Sequence, residues 1–267
     1  MPKTLHGLQV VVTRPAHQSE AFRQQLEQAG AQALCIPVIE VRASDQPQAA
    51  QAILASLASY DAALFISANA VTFGLAALDD VQQQVLQRLT LGAIGKKTAK
   101  ALQERGFNPQ WVPAQGFTSE DFLAMPEVQQ LAGKRILIFR GEGGRELLAD
   151  GLRQRGAVVD YVDVYQRICP KHDAGQLKQH HERQQLDIIA ITSSEGLLNL
   201  LTLLDNPDWI KTVPLLVGSQ RMLVTARQAG FTGLIVIADN PGDEAMLQAL
   251  NQWAQESHDD RQNSTRS

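Results

Sequence analysis

The sequence predicts an α/β protein built as two similar, doubly wound parallel-sheet lobes. Three features point that way. The 267 residues are 44% hydrophobic and only 19% charged, enough to bury one large core or two ordinary ones and too apolar for a disordered chain. Short β-rich runs alternate with amphipathic stretches, the pattern of parallel strands covered on both faces. Finally, the chain repeats itself: Leu5-His-Gly-Leu-Gln-Val-Val-Val-Thr-Arg14 lies over Leu131-Ala-Gly-Lys-Arg-Ile-Leu-Ile-Phe-Arg140, 126 positions on. The same offset, without a gap, aligns Glu20 with Glu146, Leu26 with Leu152, Gly30 with Gly156, and Asp61 to Asn69 with Asp187 to Glu195. One register across separated segments marks a duplicated unit.

Along the first copy, Val10 to Thr13 reads as a strand. The helix after Pro15 carries Ala21, Phe22, Leu26 and Ala29 on one side, and Gly30 ends it. Strands recur near Leu34, Leu64 to Ile66 and Leu91 to Ile94, with helices near Ile53 to Leu57, Val71 to Leu78 and Thr98 to Leu102. The second copy repeats the order, and its last helix is expected from about Asp243 to Trp253. The polar segment 257–267 lacks apolar periodicity and is expected to be a disordered tail. Two runs, Cys35 to Val41 and Val158 to Tyr165, read as extended and interrupt the strand-helix rhythm, which makes them candidates for a two-stranded connector.

Composition excludes several function classes. The start of the chain lacks the apolar stretch and cleavage site of a signal peptide, and no run reaches the roughly 18 apolar residues of a membrane helix, so the protein is expected in the cytoplasm. Cys35 and Cys169 form no C-x-x-C, and the adjacent His180 and His181 point to different helix faces, so no metal is expected. A net charge of −4 without a basic run argues against nucleic acid as the partner. Gly141-Glu-Gly143-Gly144 imitates a dinucleotide fingerprint, but Glu146 fills the third glycine position and the equivalent loop of the first copy has no glycine. Neither G-x-S-x-G nor H-E-x-x-H occurs, which leaves a hydrolase reading without support.

Ligands of open α/β sheets lie beyond the carboxyl ends of the strands, where helix N-termini present free N–H groups. The residues there match between the copies: Arg14 with Arg140 and Gly141, Ser67-Ala-Asn69-Ala70 with Ser193-Ser194, and Gly95-Lys-Lys-Thr98 with Gly218-Ser-Gln-Arg221. The loops holding Thr118-Ser119 and Asn240 precede the last helix of each half. Hydroxyls, amides and a few cations with almost no carboxylates suit an anion rich in acceptor oxygens. The same residue types also cap helices and close turns, and either arginine can serve a strand-end ion pair instead.

Taken in order and spacing, Val-Val-Thr13-Arg14-Pro15, Phe-Ile-Ser67-Ala-Asn69-Ala70-Val71, Ile94-Gly95-x-x-Thr98-Ala99, Phe139-Arg140-Gly141-x-x-Gly144-Arg145 with Val164-Tyr165-x-Arg167, and Ile-Thr192-Ser193-Ser194 resemble the uroporphyrinogen-III synthase family. The second Ile-Gly-x-x-Thr-Ala copy departs from the pattern, reading Val217-Gly218-x-x-Arg221-Met222. The resemblance implies a lobe of residues 1–36 plus 168–256, a lobe of 42–158, and a connector of 37–41 and 159–167. It also implies a polycarboxylate substrate, hydroxymethylbilane, held between the lobes largely by backbone amides, without metal or organic cofactor. The residues it marks for substrate binding are Arg14, Ser67, Asn69, Ala70, Gly95, Thr98, Thr118, Ser119, Arg140, Gly141, Ser193, Ser194 and Gly218. Tyr165 stands at the position of the family's candidate proton donor to the departing hydroxyl, a task open to a phenol because phenols are protonated at neutral pH. A tyrosine ending an extended segment also commonly packs across strands. The expected assembly is a monomer, and the competing reading is a non-catalytic two-lobed module that closes on a small anion.

Overall fold

The computed structural model describes residues 5–144, 146–171, 175–204 and 207–264; Arg145 of the motif above lies outside them. The strands are β1 (Gln9–Val12), β2 (Gln32–Cys35), β3 (Glu40–Ala43), β4 (Ala62–Phe65), β5 (Thr90–Ala93), β6 (Arg135–Gly141), β7 (Val158–Ile168), β8 (Ile188–Ile191), β9 (Leu215–Val217) and β10 (Ile235–Ile237). The helices are α1 (Ala16–Gln28), α2 (Pro47–Leu54), α3 (Ala68–Ala76), α4 (Asp80–Leu86), α5 (Lys96–Gln103), α6 (Ser119–Leu123), α7 (Leu147–Gln154), α8 (Gly175–Glu182), α9 (Ser194–Leu203), α10 (Gln220–Gln228) and α11 (Asp243–Ser264).

The chain divides into two compact units, one of residues up to Glu40 together with Ile168 onward, the other Val41–Arg167. The first contains a five-stranded sheet in the order β10-β9-β8-β1-β2, parallel at each junction. Valines and isoleucines of β1 and β8 are buried on both faces, as a central parallel strand requires. Helices α1 and α11 close one core over Val10, Val12, Ile188 and Leu216.

The second unit holds the order β3-β7-β6-β4-β5. Side-chain alternation splits its core in two: Ala63, Phe65, Leu137 and Phe139 face one side, and Ala62, Leu64, Ile136 and Ile138 the other. On the first side α3 comes close enough that a Cβ on Gly74 would lie 2.8 Å from Phe139. Phe139 in turn stacks on Phe65 at 4.5 Å.

The duplication is written into the strand registers. Gln9 pairs with Gln32 as Arg135 pairs with Val158, and Val10 pairs with Ile188 as Ile136 pairs with Ala62. Each correspondence is the 126-residue offset, so Arg14, just past β1, and Arg140, near the end of β6, stand at corresponding strand ends, and the order β9-β8-β1-β2 matches β5-β4-β6-β7. The copies are exchanged: each sheet takes its β1 or β6 half from one copy and its β8 or β4 half from the other.

Three details differ from the sequence reading. Helix α1 buries Ser19, Phe22 and Leu26, not Ala21, because i, i+3, i+7 spacing sets the inward stripe. Helix α11 runs on to Ser264, past the end expected near Trp253, and residues 257–264 are helix where a disordered tail is expected. Polar composition alone does not end a helix, and no proline or glycine stops this one before 264. In the extended run Val158–Tyr165, Val158 to Asp163 and Tyr165 pair with β6, so the run is part of the second sheet.

Candidate active site

The polar residues that end the strands act first as helix caps. Ser67 accepts the Ala70 N–H at 3.0 Å to start α3, and Ser193 accepts the Gly196 N–H at 3.0 Å to start α9. Ser219 caps α10, and Thr118 forms a reciprocal capping box with Asp121 at α6. Each cap settles one of the first-turn donors that have no partner within the helix.

Behind Ser67 stands Tyr165. Strict alternation along β7 would turn Tyr165 to the side of Tyr161, but the β6–β7 register slips by one residue: Arg140 pairs with Asp163, while Gly141 pairs with Tyr165. This bulge re-aims the ring into the core beside Val162 and Val164, where it is 2% exposed. Its hydroxyl lies 3.2 Å from Ser67 Oγ, its ring stacks on Phe73 at 5.9 Å, and it covers Gly141 so closely that a Cβ there would lie 2.6 Å from two ring carbons.

The opposite side of the same strand end carries an ionic group. Arg140 donates from Nε to Asp163 at 2.8 Å and from a terminal nitrogen to Glu146 at 3.0 Å, with its guanidinium carbon 3.5 Å from the centre of the Tyr161 ring. Burial works against its charge, but these two carboxylates hold it protonated. The Arg140 and Tyr161 hydrogen bonds keep Glu146 below the usual carboxylate range, while burial and the bond to Glu146 push Tyr161 up to about 12. Beside this group opens a hollow of about 600 Å³ with an apolar floor including Ile66, Ile94 and Ile138, and a rim including Thr118, Ser119 and Arg140. The equivalent arginine of the first unit, Arg14, is bound to the Asp243 carboxylate and donates to the Pro241 carbonyl at 2.8 Å.

Set against known proteins, the family described as uroporphyrinogen-III synthase HemD matches residues 20–248. The uroporphyrinogen-III synthase of Escherichia coli is 34% identical over 91% of this chain and the whole of its own length. That of Salmonella typhimurium is 35% identical over the same shares. The chain belongs to the uroporphyrinogen-III synthase family. Solved structures titled uroporphyrinogen III synthase from Thermus thermophilus (TM-score 0.60, 22% identity, covering 93% of this chain and 99% of that one) and uroporphyrinogen-III synthetase from Helicobacter pylori (0.62, 18%, 92% and 99%) share the fold.

For this member of the uroporphyrinogen-III synthase family, the residues expected to bind substrate fall into two groups. Ser67, Asn69, Ser119, Ser193 and Ser194 are half-buried and Thr118 is exposed, all at helix starts. The others are committed within the fold. Thr98 faces the core at 5% exposed, Ala70 is buried with its N–H given to Ser67, and Gly141 lies under Tyr165. Gly218 packs on Pro241 and Gly95 against Phe117. Both arginines are neutralised by carboxylates of their own units. The Arg14 partner, Asp243, carries no local signal in the sequence. Nor does the role of Tyr161, which becomes visible only when β7 places it beside Arg140. Among the described residues, no cluster of three or more histidine, cysteine or acidic side chains is arranged to hold a metal, and no helix is long and apolar enough to cross a membrane.

Proposed function

We propose that this chain closes hydroxymethylbilane to uroporphyrinogen III, inverting the last pyrrole ring and expelling water, as a cofactor-free cyclising hydro-lyase of tetrapyrrole (haem) biosynthesis. Family membership over the whole length of two relatives that are themselves uroporphyrinogen-III synthases carries the reading. The strand ends support it, since capped helix starts in both units offer amides and hydroxyls to a polycarboxylate. In this reading residues 37–41 and 159–167 are the two-stranded connector of the two lobes. The protein works in the cytoplasm as a monomer.

Loss of hydroxide leaves an azafulvene cation stabilised by its pyrrole nitrogen. That cation attacks the substituted carbon of the last pyrrole, and the spiro intermediate fragments and recloses with the ring turned. No protein nucleophile is needed. The protein assists departure of the hydroxide and holds a floppy chain so that the correct carbon is attacked, which is catalysis by positioning and electrostatics. Tyr165 is the source of the proton.

The test supplies hydroxymethylbilane made in place by its own synthase and determines the uroporphyrin isomers after oxidation. The type III isomer is expected to dominate. Type I alone, formed at the uncatalysed rate, would leave the non-catalytic anion-binding module as the better reading.

A further inference from the structure

We propose that Ser67 is the catalytic residue that touches the departing hydroxyl, and that Tyr165 is a positioning residue that acts through it. The argument rests on the function proposed above and on hydrogen-bond accounting around one oxygen. Tyr165 is 2% exposed, and a phenol so buried needs an acceptor for its proton. Among the described residues the acceptor within reach is Ser67 Oγ, 3.2 Å away. That oxygen also accepts the Ala70 N–H at 3.0 Å. A serine oxygen has two acceptor positions and one proton. With both acceptor positions filled, the Ser67 proton is the one group of the set without a partner among the described residues, on a side chain that is only half-buried. Tyr165 therefore fixes Ser67 as an outward donor.

The duplication supplies an internal comparison. Ser193, the counterpart of Ser67, caps its helix in the same way through the Gly196 N–H at 3.0 Å. The residue 126 positions before Tyr165 is Ile39, and methyl groups of Val38 and Ile39 lie 3.3 and 3.7 Å from a Cβ built on Gly196. Ser193 thus has an aliphatic backing where Ser67 has a phenol. Capping needs no phenol, so the bulge that turns Tyr165 towards Ser67 serves something other than the cap. The pair makes one strand end a proton donor and leaves its counterpart a plain hydrogen-bonding site.

In the relay, the Ser67 proton passes to the substrate hydroxyl as its carbon–oxygen bond breaks, and water departs with the bond's electron pair. Ser67 Oγ takes the Tyr165 proton in the same movement, leaving a phenolate. The proton released from carbon when the closed ring regains aromaticity restores the phenol through the same serine. Atoms and charges balance with the loss of one water and nothing else.

The experiment measures kcat, KM and isomer ratio for wild type, Ser67→Ala, Ser67→Thr, Tyr165→Phe and the Ser67→Ala/Tyr165→Phe double variant. Ser67→Ala is expected to lower kcat by about 10²-fold, the ordinary scale of general acid catalysis. Tyr165→Phe should lose less, and the double variant no more than Ser67→Ala alone. Ser67→Thr keeps both cap and hydroxyl and should recover most of kcat, which a purely structural defect elsewhere would not predict. A solvent deuterium isotope effect with two protons in flight should fall to one in Tyr165→Phe. Losses that multiply in the double variant, or a Tyr165→Phe defect larger than that of Ser67→Ala, would show the phenol reaching substrate directly and overturn the relay while leaving the function intact. Type I product alone from wild type overturns both.

Discussion

Arg140 keeps its charge although its side chain is 13% exposed, because Asp163 and Glu146 replace the water it has lost and Tyr161 covers its face. That arrangement gives Tyr161 a measurable signature. The folded protein holds this phenol protonated to about pH 12, whereas the unfolded chain ionises it near pH 10. Its contribution to stability is complete below the unfolded value and is lost as pH rises towards the folded one. Tyr161→Phe should therefore flatten the fall of the urea midpoint above about pH 10, and an ultraviolet titration should lose its highest-pH tyrosine component. Gly141 makes a second residue-level test. A methyl there would strike the buried Tyr165 ring at 2.6 Å, so Gly141→Ala should cost about 1–3 kcal/mol in urea unfolding, the usual penalty of overpacking. From the sequence alone, Arg140 at a strand end was equally consistent with an ion pair and a ligand contact. The choice depends on Asp163 arriving from a neighbouring strand and Glu146 from the turn before α7, a tertiary fact that local spacing does not contain.

At the level of elements, the strands were the legible part. β1, β4, β5, β6 and β8 fall where short apolar runs and the internal repeat place them. Helix α4 was not read from the sequence, since Asp-Val-Gln-Gln-Gln-Val-Leu is short, has a thin apolar stripe and buries only Leu86. Its available signal was the capping box, Asp79 with Gln82, each side chain bonded to the other's backbone N–H. Because so little packing supports α4, the cap should matter: Asp79→Ala is expected to cost about 1 kcal/mol in urea unfolding. Helix α11 sets the opposite expectation at its far end. Among the residues whose side chains are described, those it buries are Met246, Ala249, Leu250 and Ala254. Ending the chain after Glu256 should lower the helical circular dichroism while leaving the urea midpoint unchanged within error.

On the scale of the whole molecule, the repeat was legible as a register and its exchange between sheets was not, because self-similarity says which segments correspond and not which pair. The parallel registers supply that information: β1 takes β8 as neighbour, not β4. The unit Val41–Arg167 is continuous and carries its own sheet with a core on each face. Produced alone, it should unfold cooperatively in urea with native-like circular dichroism, whereas residues 1–40 alone should show no such transition. The same nesting has a consequence for synthesis on the ribosome. The βαβ of β1, α1 and β2 is translated well before β8, the strand that completes its sheet beside β1. Until residues 188–191 follow, β1 presents the hydrogen-bonding edge of Gln-Val-Val-Val to whatever is near, with the later unit translated and folded in the meantime. An open valine edge held through most of translation is a site for wrong pairing between nascent chains. Yield in a foreign host should thus depend on temperature and elongation speed more than the stability of the finished protein would suggest.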